Sequence, residues 1–412
     1  MEFFLTVFPF VYISKCKNNI LFYNTISGES IVFKNNIAIV KLVNKLEQQE
    51  YACVVNENEI DKLNQVNFFK LLVEKNLGYY IDKQKIELLP VTTRCAEINK
   101  SDFTAQFRNH EYIMENLREI TFHINNGMGN LINEANQLRT HKSHKQFLFP
   151  IYEPQTSELL LSKIKKVIGD METNKLSINI LGGNVFRYSQ IESLINILNN
   201  TTYNIIYYFH YNDWIEDHSQ QILSLINEND TKIILVDSPF DEIQFKLWEA
   251  VVEQKNVRIE FLVESEEQIE EVEIIINKFK LRNYVFRPYY NENNYDFFKE
   301  NVFVSEEDIL SVKESLFELI TKKISSPAFF GKLTIDVHEN VYSNINLPPA
   351  GNIDSLNLKH LIYDLITNEE SIWLKSKLKA VPCNKCIYNL LCPPISNYEL
   401  VLNCNNLCNI AT

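Results

Sequence analysis

The chain has 412 residues, a formal net charge of −13, 45% hydrophobic residues and 23% charged residues. That length is more than one ordinary core needs and predicts two or three domains, and the composition is that of a globular protein, not a disordered one. No basic stretch offsets the negative charge, which argues against a nucleic-acid partner.

The apolar opening from Met1 to Lys15 has no basic segment before it and no small-residue cleavage site, so it reads as a buried strand. No other window approaches the roughly 18 uninterrupted apolar residues of a membrane span, so no membrane partner and a cytoplasmic location are expected. Strand patterns at Tyr12–Lys15 and Ile20–Tyr23 lead through the turn signal Ser27-Gly28 into Ser30–Phe33. Helical spacing follows over Asn36–Leu46 and again from Gln65 to Lys75, where Asn76-Leu77-Gly78 is a stop signal. A hairpin followed by small helices is the layout of a winged-helix module, placed at residues 1–90. The polar stretch Lys83–Asp102, with Pro90, reads as a linker.

Residues 105–300 alternate strands with amphipathic helices. The strand candidates are Leu117–Ile124, Leu176–Leu181, Tyr203–Phe209, Lys232–Val236, Val257–Val263 and Tyr284–Arg287. Helices are expected at Gln190–Leu198, Gln220–Ile226, Glu242–Glu253 and Gln268–Phe279. Such alternation predicts parallel strands with crossover helices, hence an α/β sheet curled into a partial (β/α)6 barrel. From residue 325 the pattern changes to a hairpin, Phe330–Val337 with Asn340–Asn344, then a helix near Leu356–Ile366 and a cysteine-rich end.

Five of the eight cysteines lie between 383 and 408, which favours metal over disulfides in a cytoplasmic chain. Cys383 and Cys386 form a C-x-x-C knuckle, whose spacing lets two thiolates face one metal, and Cys392 follows. Either Cys404 or Cys408 can supply the fourth thiolate. Four soft thiolates suit zinc and a [4Fe-4S] cluster alike. Cys16, Cys53 and Cys95 are scattered and read as structural.

The run from Cys383 to Glu399, CNKCIYNLLCPPISNYE, continuing to Asn406-Leu407-Cys408, resembles SPASM-type C-terminal domains. It looks most like the pseudo-radical-SAM proteins encoded beside ribosomally made peptides in Bacteroidetes, as does the hairpin FGKLTIDVHENVYSNIN at 330–346. The resemblance implies a SPASM-like metal domain at 325–412 with Cys383, Cys386, Cys392 and, in preference to Cys404, Cys408 as ligands. It departs from the usual C-x2-C-x5-C-x3-C, because Ser396 stands where the fourth cysteine would be, and this implies one site and not two.

Radical-SAM enzymes carry C-x3-C-x2-C after the first barrel strand, but here that strand leads into Asn125-Asn126-Gly127 and no cysteine lies between 95 and 383. Three thiolates are needed to hold the cleaving cluster, so no S-adenosylmethionine is expected to be bound and used. Gly182-Gly183-Asn184 resembles the family's Gly-Gly-Glu cofactor motif with the acid replaced; a plain strand-to-helix turn is the favoured reading. The same analogy makes the winged-helix module a leader-peptide holder. A peptide would add beside Ser30, Ile31, Val32 and Phe33, with Phe68, Phe69 and Leu72 on the helix forming the other wall.

Other patterns carry less. His141 and His144 lie in a polar stretch and read as a solvated loop, and Asp237-Ser238-Pro239 could face a barrel mouth or cap a helix. The expectation is a catalytically inactive binding protein that presents a precursor peptide to a partner modifying enzyme. The alternatives are an enzyme of peptide maturation using non-radical chemistry, or a structural scaffold subunit.

Overall fold

The computed structural model describes residues 2–17, 19–34, 36–48, 52–85, 110–127, 142–150, 153, 155–171, 175–214, 217–240 and 256–410. Most of the expected linker, the helix expected at Glu242–Glu253, Cys95 and His141 lie outside them.

Two small antiparallel sheets are built from the first 82 residues. β1 (Glu2–Val7) is central to one, flanked by β5 (Cys53–Asn56) and β6 (Gly78–Asp82). The other is the meander β2 (Val11–Cys16), β3 (Asn19–Asn24) and β4 (Ser30–Phe33). The β3–β4 turn follows from Asn24, whose side-chain oxygen accepts from the Ile26 and Ser27 amides at 2.9 and 3.0 Å, with Gly28 supplying φ +82°. Alternation along β3 sends Ile20 and Phe22 into a core with the helices Ile37–Gln48 and Phe68–Glu74. Leu21 and Tyr23 go the other way, onto Ile387, Leu390 and Leu391 near the far end of the chain. The meander is thus apolar on both faces, because each face has a partner.

The central sheet is mixed α/β architecture, mostly parallel, with strand order β12-β11-β10-β9-β8-β7-β13-β14-β15. β7 (Glu119–His123), β8 (Ser177–Leu181), β9 (Asn204–His210), β10 (Thr231–Val236), β11 (Val257–Val263) and β12 (Tyr284–Pro288) pair in chain order, all parallel. Chain-order pairing with right-handed crossovers keeps the connecting helices on one side of a sheet. Ile120, Phe122 and Ile124 of the β7 segment join the core that includes Ile164, Ile195 and Ile275 from the helices Leu161–Gly169, Ile191–Asn199 and Glu266–Phe279. β13 (Lys332–Ile335) pairs in parallel with β7, and β14 (Asn340–Tyr342) and β15 (Gly351–Asn352) follow antiparallel. The hairpin expected to open a separate C-terminal unit therefore extends this sheet.

A parallel sheet covered on both sides is normally apolar on both. Here the face away from those helices is partly polar, with Glu119, Thr121, His123 and Asn179 clustered at β7 and β8. Further along, Glu260 of β11 is buried and gripped by Arg287 through two bonds of 3.0 Å and by Arg258 at 2.7 Å. No helix among the described residues is long and apolar enough to cross a membrane.

Candidate functional site

The cysteine-rich end is assembled by local turns. Cys386 N–H donates to the Cys383 carbonyl at 3.0 Å, and Tyr388 N–H donates to Cys386 Sγ at 3.4 Å. An N–H aimed at sulfur stabilises a thiolate. Cys392 is fixed from behind by Lys322, whose Nζ donates to the Cys392 carbonyl at 3.0 Å. Cys408 arrives because the chain end runs beside Val304, with Val304 N–H to the Leu407 carbonyl and Asn409 N–H to the Val304 carbonyl, both 3.0 Å. Cys383 and Cys392 are buried, and Cys386, Cys404 and Cys408 are half-buried.

Burial pushes the Cys383 thiol up to about 11 and the Cys392 thiol to about 12, and it raises Cys386 and Cys404 as well. The charge of Cys408 adds to the rise at Cys383, Cys386, Cys392 and Cys404 alike, and that of Cys386 adds at Cys383 and Cys392. The opposing influence is Lys377, which favours the thiolate form at Cys383, Cys386, Cys392 and Cys404. Lys377 is itself buried against Glu399 at 3.4 Å. Among the described residues no three His, Cys, Asp or Glu side chains are gathered as a metal site. Ser396, in the place of a fourth cysteine, caps the helix Asn397–Val401, and its hydroxyl donates to Glu399 at 2.6 Å.

Cys16 is not isolated. Its Sγ donates to the Lys385 carbonyl at 2.6 Å, and it shares a cleft with Cys386. No sequence signal marks this neighbour, since 369 residues separate Cys16 from Lys385.

The loop after β7 is tied to the loop after β8. Asn125 Nδ2 donates to the Asn184 carbonyl at 2.6 Å, and Gly183 N–H donates to the Asn125 carbonyl at 2.8 Å. Asn126 is spent on Glu153 and the Ser157 amide, both at 2.6 Å. A Cβ on Gly182 would stand 2.4 Å from Asn125 Oδ1, and one on Gly183 would stand 2.5 Å from the Gly127 carbonyl oxygen. Both glycines are there for close approach. Asn184 accepts from Phe186 N–H at 3.0 Å and donates to Asp213 at 2.9 Å.

β4 lies at the edge of its sheet. Ser30, Ile31 and Val32 are half-buried, whereas Phe33, Phe68, Phe69 and Leu72 are packed inside the first core. The Phe33 and Phe68 rings meet at 5.7 Å, so the helix residues support the edge and do not wall a groove.

The expectation of a solvated loop at His144 is corrected. His144 is buried and its Nδ1 pairs with the Phe149 carbonyl at 2.7 Å, because Gln146 pins the segment through two bonds to Tyr290. Asp237 stands 2.9 Å from His210 Nε2 across the ends of β9 and β10.

No protein-family model and no curated protein matches the chain. Two crystal structures of Streptococcus suis SuiB are similar at 14% identity, each over 98% of this chain. The one bound to precursor peptide SuiA is matched over 98% of its length with a TM-score of 0.48, the other over 100% with 0.49. At that level the likeness carries nothing about chemistry.

Proposed function

We propose that the chain is a catalytically inactive, radical-SAM-like protein that binds a ribosomally made precursor peptide and presents it to a partner modifying enzyme. In this reading the N-terminal unit is a winged-helix recognition module, the parallel strands are a partial barrel, and the cysteine-rich end is SPASM-like. The observation that carries it is the loop after β7. That loop begins Asn125-Asn126-Gly127, with both asparagine side chains committed to holding it, and no cysteine between 95 and 383 is there to supply the three thiolates of a cleaving cluster.

In donor type Cys383, Cys386, Cys392 and Cys408 suit one zinc ion or one [4Fe-4S] cluster, with buried Lys377 offsetting the negative charge. Binding would have to draw them together, since among the described residues no three such side chains are gathered. Bound there, the metal would crosslink the knuckle to the chain end. Displacing protons from such raised thiols makes loading pH-dependent.

The peptide-binding element in this reading is the outer edge of β4. Asn24 N–H donates to the Glu29 carbonyl, so alternation along the β3–β4 ladder turns the Ser30 and Val32 amides outward. Titration calorimetry with synthetic precursor leader peptides tests this. Binding is expected, weakened about tenfold by Ser30→Pro, which removes one outward N–H where a strand tolerates proline. Absence of binding with and without the partner enzyme, or formation of 5′-deoxyadenosine by the purified protein, overturns the reading.

A further inference from the structure

Two sulfurs meet where the β2–β4 meander touches the end of the chain. Alternation along β2 puts Tyr12 and Cys16 on the face that packs onto the run from Ile387 to Cys392, whereas Ile13 faces the first core. The Tyr12 hydroxyl reaches Asn389 Oδ1 at 3.5 Å, and Cys16 ends the strand, held in register opposite Asn19. The Cys16 thiol finds its acceptor in the knuckle, with Sγ 2.6 Å from the Lys385 carbonyl oxygen.

That oxygen belongs to the peptide group joining Lys385 to Cys386, and a planar trans peptide sets the following Cα about 2.8 Å from it. Cys16 Sγ therefore lies no more than about 5.4 Å from Cys386 Cα. In a disulfide each sulfur sits roughly 3.3–4.4 Å from the opposite Cα, so a shift of about 1–2 Å with side-chain rotation brings the two into bonding range. No unfolding is needed.

Both thiols are free and half-buried, and both residues line a cleft of about 90 Å³. One water occupies roughly 10–15 Å³ by this measure, so a molecule of hydrogen peroxide fits beside them. Lys17 and Lys385, both exposed, line the same cleft and put positive charge where hydroxide would leave.

We propose that Cys16 and Cys386 form a modification site, an oxidisable dithiol that a peroxide converts to a disulfide. One thiolate attacks a peroxide oxygen, breaks the O–O bond and becomes a sulfenic acid as hydroxide leaves. The other thiolate attacks that sulfur, forms the S–S bond and expels a second hydroxide. The two protons from the thiols turn both hydroxides into water, and the two electrons lost by sulfur reduce the peroxide. The bond staples β2 to the knuckle and closes a loop over most of the chain, which constrains the unfolded state. It also withdraws Cys386 from the metal set proposed above, so disulfide and loaded metal exclude each other. The pairing itself rests neither on that metal nor on the peptide-presenting role.

The test is peptide mapping of the full chain, treated with a chelator, reduced, desalted and exposed to hydrogen peroxide before the remaining thiols are alkylated. Cleavage after Lys385 and Tyr388 separates Cys386 from Cys383 and Cys392. A crosslinked peptide joining Cys16 to Cys386 is expected, released by dithiothreitol, and with it a rise in the urea midpoint. Cys16→Ser keeps a hydroxyl for the Lys385 carbonyl and so keeps the fold, but should show neither the crosslink nor the rise. No such peptide, Cys386 joined to Cys383 or Cys392 in its place, or the same rise in Cys16→Ser overturns the proposal.

Discussion

Lys377 and Glu399 face each other at 3.4 Å with side chains only 7% and 3% exposed. Removing one partner of a buried pair strands the other charge, which costs about 3–5 kcal/mol. Lys377→Met should lower stability to denaturant by that order. Adding Glu399→Gln should recover most of it, because Gln can still serve Ser396 in the cap. A double variant as unstable as the single one would refute the pairing.

Two glycines should respond in opposite directions. Gly183→Ala puts a methyl 2.5 Å from the Gly127 carbonyl oxygen and should destabilise by about 1–3 kcal/mol. Gly169 ends a helix with nothing within 4 Å of an added Cβ, so Gly169→Ala should gain about 0.4–1 kcal/mol. Thermal unfolding of the two variants compares them directly.

Acid should weaken the fold through His123. Burial and the neighbouring His144 hold its pKa well below 6.5, so below pH 6.5 the unfolded chain takes up a proton that the folded chain refuses. Stability from this group is complete above pH 6.5 and falls as pH drops, by at most about 1.4 kcal/mol per pH unit. In His123→Phe that part of the slope should vanish, as urea midpoints between pH 7 and 5 would reveal.

Metal content should separate two neighbouring cysteines. After anaerobic purification, Cys408→Ser should lose bound zinc or iron and Cys404→Ser should keep it, if the ligand set proposed above holds. Elemental analysis with an absorption spectrum decides the point; equal loss in both variants would count against this ligand set.

What the sequence makes legible is local. Period-two and helical spacing place β8 and β11 within a residue of their ends, and helical spacing finds Ile191–Asn199. The parallel pairing of β13 with β7 is invisible, because partners such as Lys332 and Glu119 are 213 positions apart and no pattern encodes that distance. The helices Glu306–Ser311 and Leu316–Ile324 open on the capping boxes Ser305/Asp308 and Ser315/Glu318, but each is short and partly exposed, so apolar periodicity passes over them. At the site, cysteine spacing marks the knuckle, whereas Lys377, Glu399 and the Cys16 contact depend on tertiary packing.

The β2–β4 meander carries one more implication, about the order of synthesis. Leu21 and Tyr23 rest on residues beyond 300, and the Tyr23 hydroxyl accepts from the Glu314 amide at 2.8 Å. The ribosome makes these strands before their covering surface. Until Ile309, Leu319 and the run from Ile387 to Cys392 emerge, the nascent chain displays an uncovered apolar sheet face, so a truncation near residue 300 should leave residues 2–82 prone to chaperone capture instead of free-standing.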